Sequence, residues 1–232
     1  FCREKGLRYR DIAVVTGNLE GYEKNIRNIF ELYEIPYFID SKRSISGHPL
    51  VSFVLSALDI YIKNWSYESV FRYLKTGLTN LAPEETDLME NYVLACGIRG
   101  NRWTRDEDWD YLPESMYGTD ELEDRGALEL EKINQIRRKI SEPLMSFINS
   151  IKGKKAAQDI CSALFALLED TGAAQKTEAY IDYFNSSGQL DLANEYSQIW
   201  NILMEMFDQI VEGLGDGIIT VEAFREILAS GL

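Results

Sequence analysis

Histidine is almost absent from this chain: His48 is the only one. A histidine-cluster metal site is thereby excluded, and any Ser–His–Asp or Cys–His constellation would have to use that single ring. It stands directly before Pro49, and we read it as a polar loop residue. Cysteine is scarce too. Cys2, Cys96 and Cys161 are odd in number and far apart, with no C-x-x-C pair. That spacing argues against a disulfide framework and a cysteine-built metal site, and it suits a reducing, cytosolic compartment. No apolar run approaches the roughly 18 to 20 residues that span a bilayer, and no signal peptide is visible, so no membrane partner is expected. The first residue is Phe1 rather than Met, so we take the chain as a piece of something longer.

Positive charge is also short. The net charge is −14, which speaks against a generally nucleic-acid-binding surface. The deficit is concentrated, however. Between Arg105 and Glu131 there are eleven acidic residues and two basic ones. A local basic surface elsewhere remains open. What the chain does have is length and apolar content: 232 residues, 45% hydrophobic, suffice for one large core or two modest ones.

Most of the apolar pattern is helical. The exception is the start. In "YRDIAVVTGNLEGYEKNIRNIFELYEIPYFID", Ile12 to Val15 are apolar on both faces, as in a strand buried within a parallel sheet. Tyr22, Ile26, Ile29, Phe30 and Tyr33 follow at helical steps, Pro36 forbids continuation, and Tyr37 to Ile39 form a second short run. We read residues 9–40 as β-α-β. Two parallel strands make a poor sheet alone, so further strands are expected from outside this segment.

Beyond the polar stretch Ser41–Gly47, Pro49 opens a helix with Val51, Val54, Leu55, Leu58 and Ile62 on one face. Ser66 is placed to N-cap the next, which stops near Gly77. Pro83 starts another, carrying Leu88 and Tyr92 and ending at Gly97. Residues 98–126 lack a period and hold Trp103, Trp109, Tyr111 and Tyr117; this long loop is either free or pinned by its aromatics. Ile133 to Ile151 mark a long helix that Pro143 should bend. Four further helices are expected, over Ala157–Leu168, around Tyr180–Phe184, over Leu192–Ile210, and after Thr220.

The motifs that promise chemistry mostly fail on inspection. "TGNLEG" follows an apolar run but is neither a dinucleotide fingerprint nor a P-loop, and no lysine closes it. "GDGIITVEAF" has the glycine of a calcium loop, yet Leu214 and Ala223 fall where oxygen ligands are needed. Arg99, Arg102 and Trp103 stand together in "GIRGNRW", as arginine and an aromatic do when they grip a phosphate chain and stack a base. Asp106 and Asp108 are nearby, and a loop in which Trp103 packs down and the arginines answer those acids is the simpler account. Lys152, Lys154 and Lys155 read as a solvated loop, and Tyr196, Trp200 and Phe207 as helical core spacing.

Residues 9–62 resemble, in order, the second motor lobe of superfamily-one helicases of the UvrD/Rep type. "SVFRYLKTGLTNLAPEETDLMENYVLACGIRGNRW" resembles more narrowly the AddB (RexB) family, the B subunits of bacterial ATP-dependent helicase–nucleases that process double-strand DNA ends. The resemblance implies a mainly α chain: a short β-α-β start of the lobe over 1–46 and a helical inserted subdomain over 47–232. It implies a partner A subunit, DNA, and for the parent ATP, magnesium and an iron–sulfur cluster. It assigns no catalytic residue here. Where UvrD-type motors carry an arginine that reaches the ATP γ-phosphate, this chain has Thr16, which cannot supply that charge. At the positions of the family's F-F-x-R-x-E-I-K segment stand Ile45, Ser46, His48, Leu50, Val51 and Ser52. The expected product is a degenerate motor piece serving recombinational repair in the bacterial cytoplasm. Lys42, Arg43, Arg99, Arg102 and Trp103 are the candidate DNA contacts.

Overall fold

A computed structural model describes residues 6–39, 45–111, 113 and 122–232. The chain divides into two units, Phe1–Ser44 and Ile45–Leu232. Among the described residues it is mainly α-helical, as expected, with one two-stranded ribbon.

The first unit is built around α1 (Leu19–Leu32). Asn18 caps it by accepting from the Gly21 N–H at 3.1 Å, which leaves one fewer orphan donor in the first turn. Arg27 and Glu23 pair across one turn at 2.8 Å. Glu34 turns the chain in the left-handed region, and Tyr37 returns to the helix, donating to Glu31 and meeting Phe30 edge-on at 5.6 Å. The two expected strands do not form. Residues 12–16 and 35–39 have no ladder partner among the described residues, although Ile12 is in extended geometry. A strand exists through its neighbour's N–H and C=O groups, and no described segment supplies them. None of the described residues of this unit is buried.

The second unit holds the core. His48 caps α2 (Pro49–Ile62), whose first helical position is Pro49. Its Nδ1 accepts from the Leu50 N–H at 3.1 Å, so the proton sits on Nε2. The ring is buried, not a polar loop group, and packs against Tyr196 with centroids 4.3 Å apart. Ser66 caps α3 (Tyr67–Leu74), and α4 (Pro83–Cys96) ends at Gly97 in the left-handed region. Helix α5 (Leu122–Ile151) runs through Pro143 as one element, and α6 (Ala157–Asp170) follows. The α7 helix (Ala173–Ser186) is longer than its apolar pattern suggested. Then come α8 (Leu190–Leu214) and α9 (Val221–Gly231), the latter capped by Thr220 accepting from Ala223.

Sequential pairs α2–α3, α5–α6 and α7–α8 pack most closely, as short connections favour. Helix α9 returns to α2 and α8 and closes the unit. The ribbon of β1 (Lys155–Ala156) and β2 (Ile218–Ile219) staples the α5–α6 and α8–α9 connections, pairing Lys155 with Ile219 and Ala156 with Ile218. Leu50, Phe53, Leu58, Leu78, Ile133, Leu168, Leu203 and Phe224 lie in one continuous core.

Asp59 is the polar hub of this core. Its side chain is only 2% exposed. Lys63 and Arg72 reach it at 3.2 Å, and Arg225 spans both its oxygens at 3.0 and 3.3 Å. One carboxylate thus ties α2, α3 and α9 together.

Candidate functional site

The segment after α4 is the part of the second unit richest in functional residue types, and the structure shows it pinned. Gly97 ends the helix, and Arg102 turns back so that Nη1 donates to the carbonyls of Cys96 and Gly97 at 3.0 and 3.4 Å. Those are the orphan acceptors of the last turn, and a cation suits the negative end of the helix. A 3-10 turn, Gly100–Trp103, then drives Trp103 into the core with no exposed surface. Trp103 stacks on Trp65 at 6.1 Å and meets Trp109 edge-on at 5.4 Å. Tyr92 covers the other part of Trp109 at 5.2 Å.

Two α5 residues hold the loop from below. Asn134 reads the backbone of Trp109 as a strand would, accepting from its N–H and donating to its C=O, both at 2.9 Å. Arg137 is buried and donates to the carbonyls of Trp103, Glu107 and Arg105, with its guanidinium 5.0 Å over the Trp109 ring. Burial lowers the Arg137 pKa, and the nearby Asp108 carboxylate opposes that. Arg138 grips Asp108 through both carboxylate oxygens at 2.5 and 2.7 Å. Over its described residues 98–111 the loop is therefore pinned by polar side chains as well as by its aromatics.

A cavity of about 410 Å³ opens beside it, floored by Trp109 and rimmed by Arg102, Arg105, Glu107, Asp108 and Asp110. Its rim carries more carboxylates than guanidinium groups, so it does not favour a phosphate. It contains no histidine and no nucleophile–base pair. Cys96 is near, but burial raises its thiol pKa, and the same cause pushes Cys161 up to about 12. Neither is an activated thiolate. Among the described residues no group of three His, Cys, Asp or Glu side chains is placed to hold a metal ion. The described residues thus do not fit an iron–sulfur cluster or a magnesium site.

No family model matches the chain. Curated relatives match its whole length. The ATP-dependent helicase/deoxyribonuclease B subunit of Acetivibrio thermocellus is 53% identical over 231 residues, covering 100% of this chain and 20% of that protein. The proteins of the same name from Ruminiclostridium cellulolyticum and Clostridium botulinum (strain Loch Maree) are each 48% identical, with the same shares covered. The chain belongs to the helicase/deoxyribonuclease B-subunit family. It spans about a fifth of the length of the B subunits it matches.

Within this B-subunit segment the residues expected at the site have separate fates. Thr16, which the resemblance sets against the motor arginine, accepts from the Asn18 N–H at 3.2 Å, a local turn that leads into α1. Lys42 and Arg43 lie outside the described residues. Arg99 is exposed and makes no ion pair among the described residues. Arg102 is half-buried and spends one nitrogen on the cap. Trp103 packs down, as the simpler account of this segment has it, and its place among the DNA-contact candidates is corrected: the ring is enclosed by core, and no base can stack on it. Sequence reasoning missed Asn134, Arg137 and Asp59. Their signal was a polar residue on the apolar stripe of a helix: Asn134 and Arg137 sit beside Ile133 and Ile136, and Asp59 beside Leu58 and Ile60.

Proposed function

We propose that this chain is a non-catalytic, helicase-like segment of an ATP-dependent DNA helicase/deoxyribonuclease B subunit that works with an A subunit on double-strand DNA ends for recombinational repair in the bacterial cytoplasm. The observation that carries the proposal is the match to curated B subunits over the whole chain at 53% identity and a fifth of their length. In this reading residues 1–46 begin a second motor lobe and 47–232 are its inserted helical subdomain. Thr16 makes it a degenerate motor: a hydroxyl cannot neutralise charge on a transferring phosphoryl group. ATP, with magnesium, and the iron–sulfur cluster belong to other parts of the parent complex.

The segment's own contribution is a rigid border to the DNA path, through Arg99 and Arg102 and, on the lobe side, Lys42 and Arg43. The pinned loop supports this: Arg99, next to Gly100 whose N–H is tied to the Trp65 carbonyl, is exposed and makes no ion pair among the described residues. Charge reversal tests it. In the intact complex, Arg99→Glu should weaken binding to duplex ends, more at low salt than at high, since phosphate contacts act through counterion release. Affinity unchanged at every salt concentration would remove the DNA-border role.

A further inference from the structure

Three cations from three elements meet on Asp59 near the end of α2, and a fourth, Arg99, is the neighbour of Gly100, whose N–H reaches the turn after α2. Lys63, at the C-terminus of α2, and Arg72, on α3, both hold Asp59, and each side chain stays 47% exposed. Arg225, from α9, holds the same carboxylate and is 29% exposed. The turn after α2 places Asn64 and Trp65 consecutively in the left-handed region, with φ of 48° and 55°. That conformation is unfavourable for tryptophan, and it persists here with Trp65 stacked on Trp103. It carries the Trp65 carbonyl to the Gly100 N–H, at 3.4 Å, and a Cβ on Gly100 would lie 3.4 Å from the Asn64 amide. Lys63 and Arg99 are the residues flanking this contact.

The chemistry of the group is asymmetric. Three cations share one carboxylate that is itself buried, so the negative charge lies beneath and the unsatisfied donors point outward. Arg72 commits one nitrogen and Lys63 one hydrogen bond, which leaves both able to bind a second anion. The acids within one turn along these helices, Glu68 before Arg72 and Glu222 and Glu226 on either side of Arg225, form no ion pair with them among the described residues. The hub also holds the cations in place, which surface lysines such as Lys152 and Lys154 lack.

We propose that Lys63, Arg72 and Arg225, together with Arg99, form a phosphodiester-binding surface oriented by Asp59. The inference deepens the DNA-border role and rests on it. It extends the border beyond the loop to three helices, and it makes Asp59 a positioning residue rather than a contact.

The test uses the full-length B subunit in its complex with the A subunit and a blunt duplex. Affinity is measured across a salt series for wild type, Lys63→Gln/Arg72→Gln, and Arg99→Glu. Each lost phosphate contact lowers the slope of log K against log salt by about 0.9, so the double variant should lose about 1.8. In parallel, acetylation of Lys63 by an amine-reactive reagent should slow when DNA is bound, while Lys152 serves as the unprotected reference. A wild-type slope for the double variant with an unchanged melting temperature overturns the inference. If the double variant fails to fold, equal Lys63 acetylation with and without DNA overturns it instead. Loss of binding in Arg99→Glu with a wild-type double variant would end this inference alone; no effect in either would end the DNA-border role as well.

Discussion

Val14 and Val15 are 75% and 93% exposed, whereas Val51 and Val54 have no exposed surface at all. The same residue type occupies opposite environments in the two units. In Ile45–Leu232 the helices cover one another's main apolar stripes: α2 packs on α3 and α9, and α5 on α4 and α6. In the first unit one helix and the two apolar runs that flank it have no second layer to close on among the described residues. Hydrophobicity sets what a segment needs, and only a partner surface satisfies it. The second unit contains its partners; the first carries Val15, Leu32 and Phe38 outward at 93%, 76% and 88% exposure.

The largest effect that would sharpen this contrast is Trp103→Ala. It removes a ring that is wholly enclosed between Trp65 and Trp109, and such truncations cost about 3–5 kcal/mol. Urea unfolding followed by tryptophan fluorescence should show that loss. The matching change in the first unit, Tyr22→Ala, removes a ring that is 57% exposed and should cost less than about 0.5 kcal/mol. Equal losses would break the comparison.

Next is Asn134→Ala. It strands the N–H and C=O of Trp109, and each buried group left unpaired costs about 1–3 kcal/mol. A loss of about 2–4 kcal/mol is expected, together with faster amide exchange at Trp109. If stability falls but Trp109 exchange does not change, the loop is held by the aromatics and Arg137 without Asn134.

A smaller effect, about 1 kcal/mol, attaches to the His48 cap. Burial lowers the His48 pKa, partly opposed by Glu195. The folded state therefore binds the proton less readily than the unfolded chain, whose value lies near 6.5. Stability from this group is complete above that pH and is lost as pH falls from 6.5 through the folded value. Protonated Nδ1 is a donor and cannot accept from the Leu50 N–H. His48→Asn keeps a cap acceptor without a titration, so its stability should stay flat between about pH 6.5 and 5 while wild type declines. Parallel pH profiles would show that the cap does not titrate.

How far these features can be read in the sequence follows from how local their causes are. Helix positions, the caps at Ser66 and Thr220 and the Pro49 start of α2 were legible, because capping and periodicity act within a turn or two. The B-subunit resemblance was legible from an ordered run of local patterns. The ribbon of Lys155–Ala156 with Ile218–Ile219 was not, since two-residue strands carry no period and exist only through long-range pairing. For the same reason the sequence left Trp103 between core packing and a DNA contact: whether an aromatic beside arginines faces solvent or core depends on Trp65 and α5, both far away in sequence. Asp59 looked like one polar residue on an apolar helix until α9 supplied Arg225, 166 residues later.

The smallest effect within this chain is the most informative about the first unit. Val15→Lys and Phe38→Lys add charges at positions already 93% and 88% exposed. In the isolated chain nothing is displaced, so each should change stability by less than about 0.5 kcal/mol. In the full-length protein the proposed motor lobe supplies neighbouring strands, and both side chains become part of its sheet layers. Burying such a side chain is worth about 1.5–3 kcal/mol, and a lysine there forfeits it and buries a charge besides. The substitutions should then lower the full-length protein's melting temperature while leaving that of the isolated chain unchanged. Equal neutrality in both would mean that the apolar runs at Ile12–Val15 and Tyr37–Ile39 stay exposed in the whole protein, and the lobe assignment for residues 1–46 would fall. The contrast between the units would then no longer reflect a missing layer.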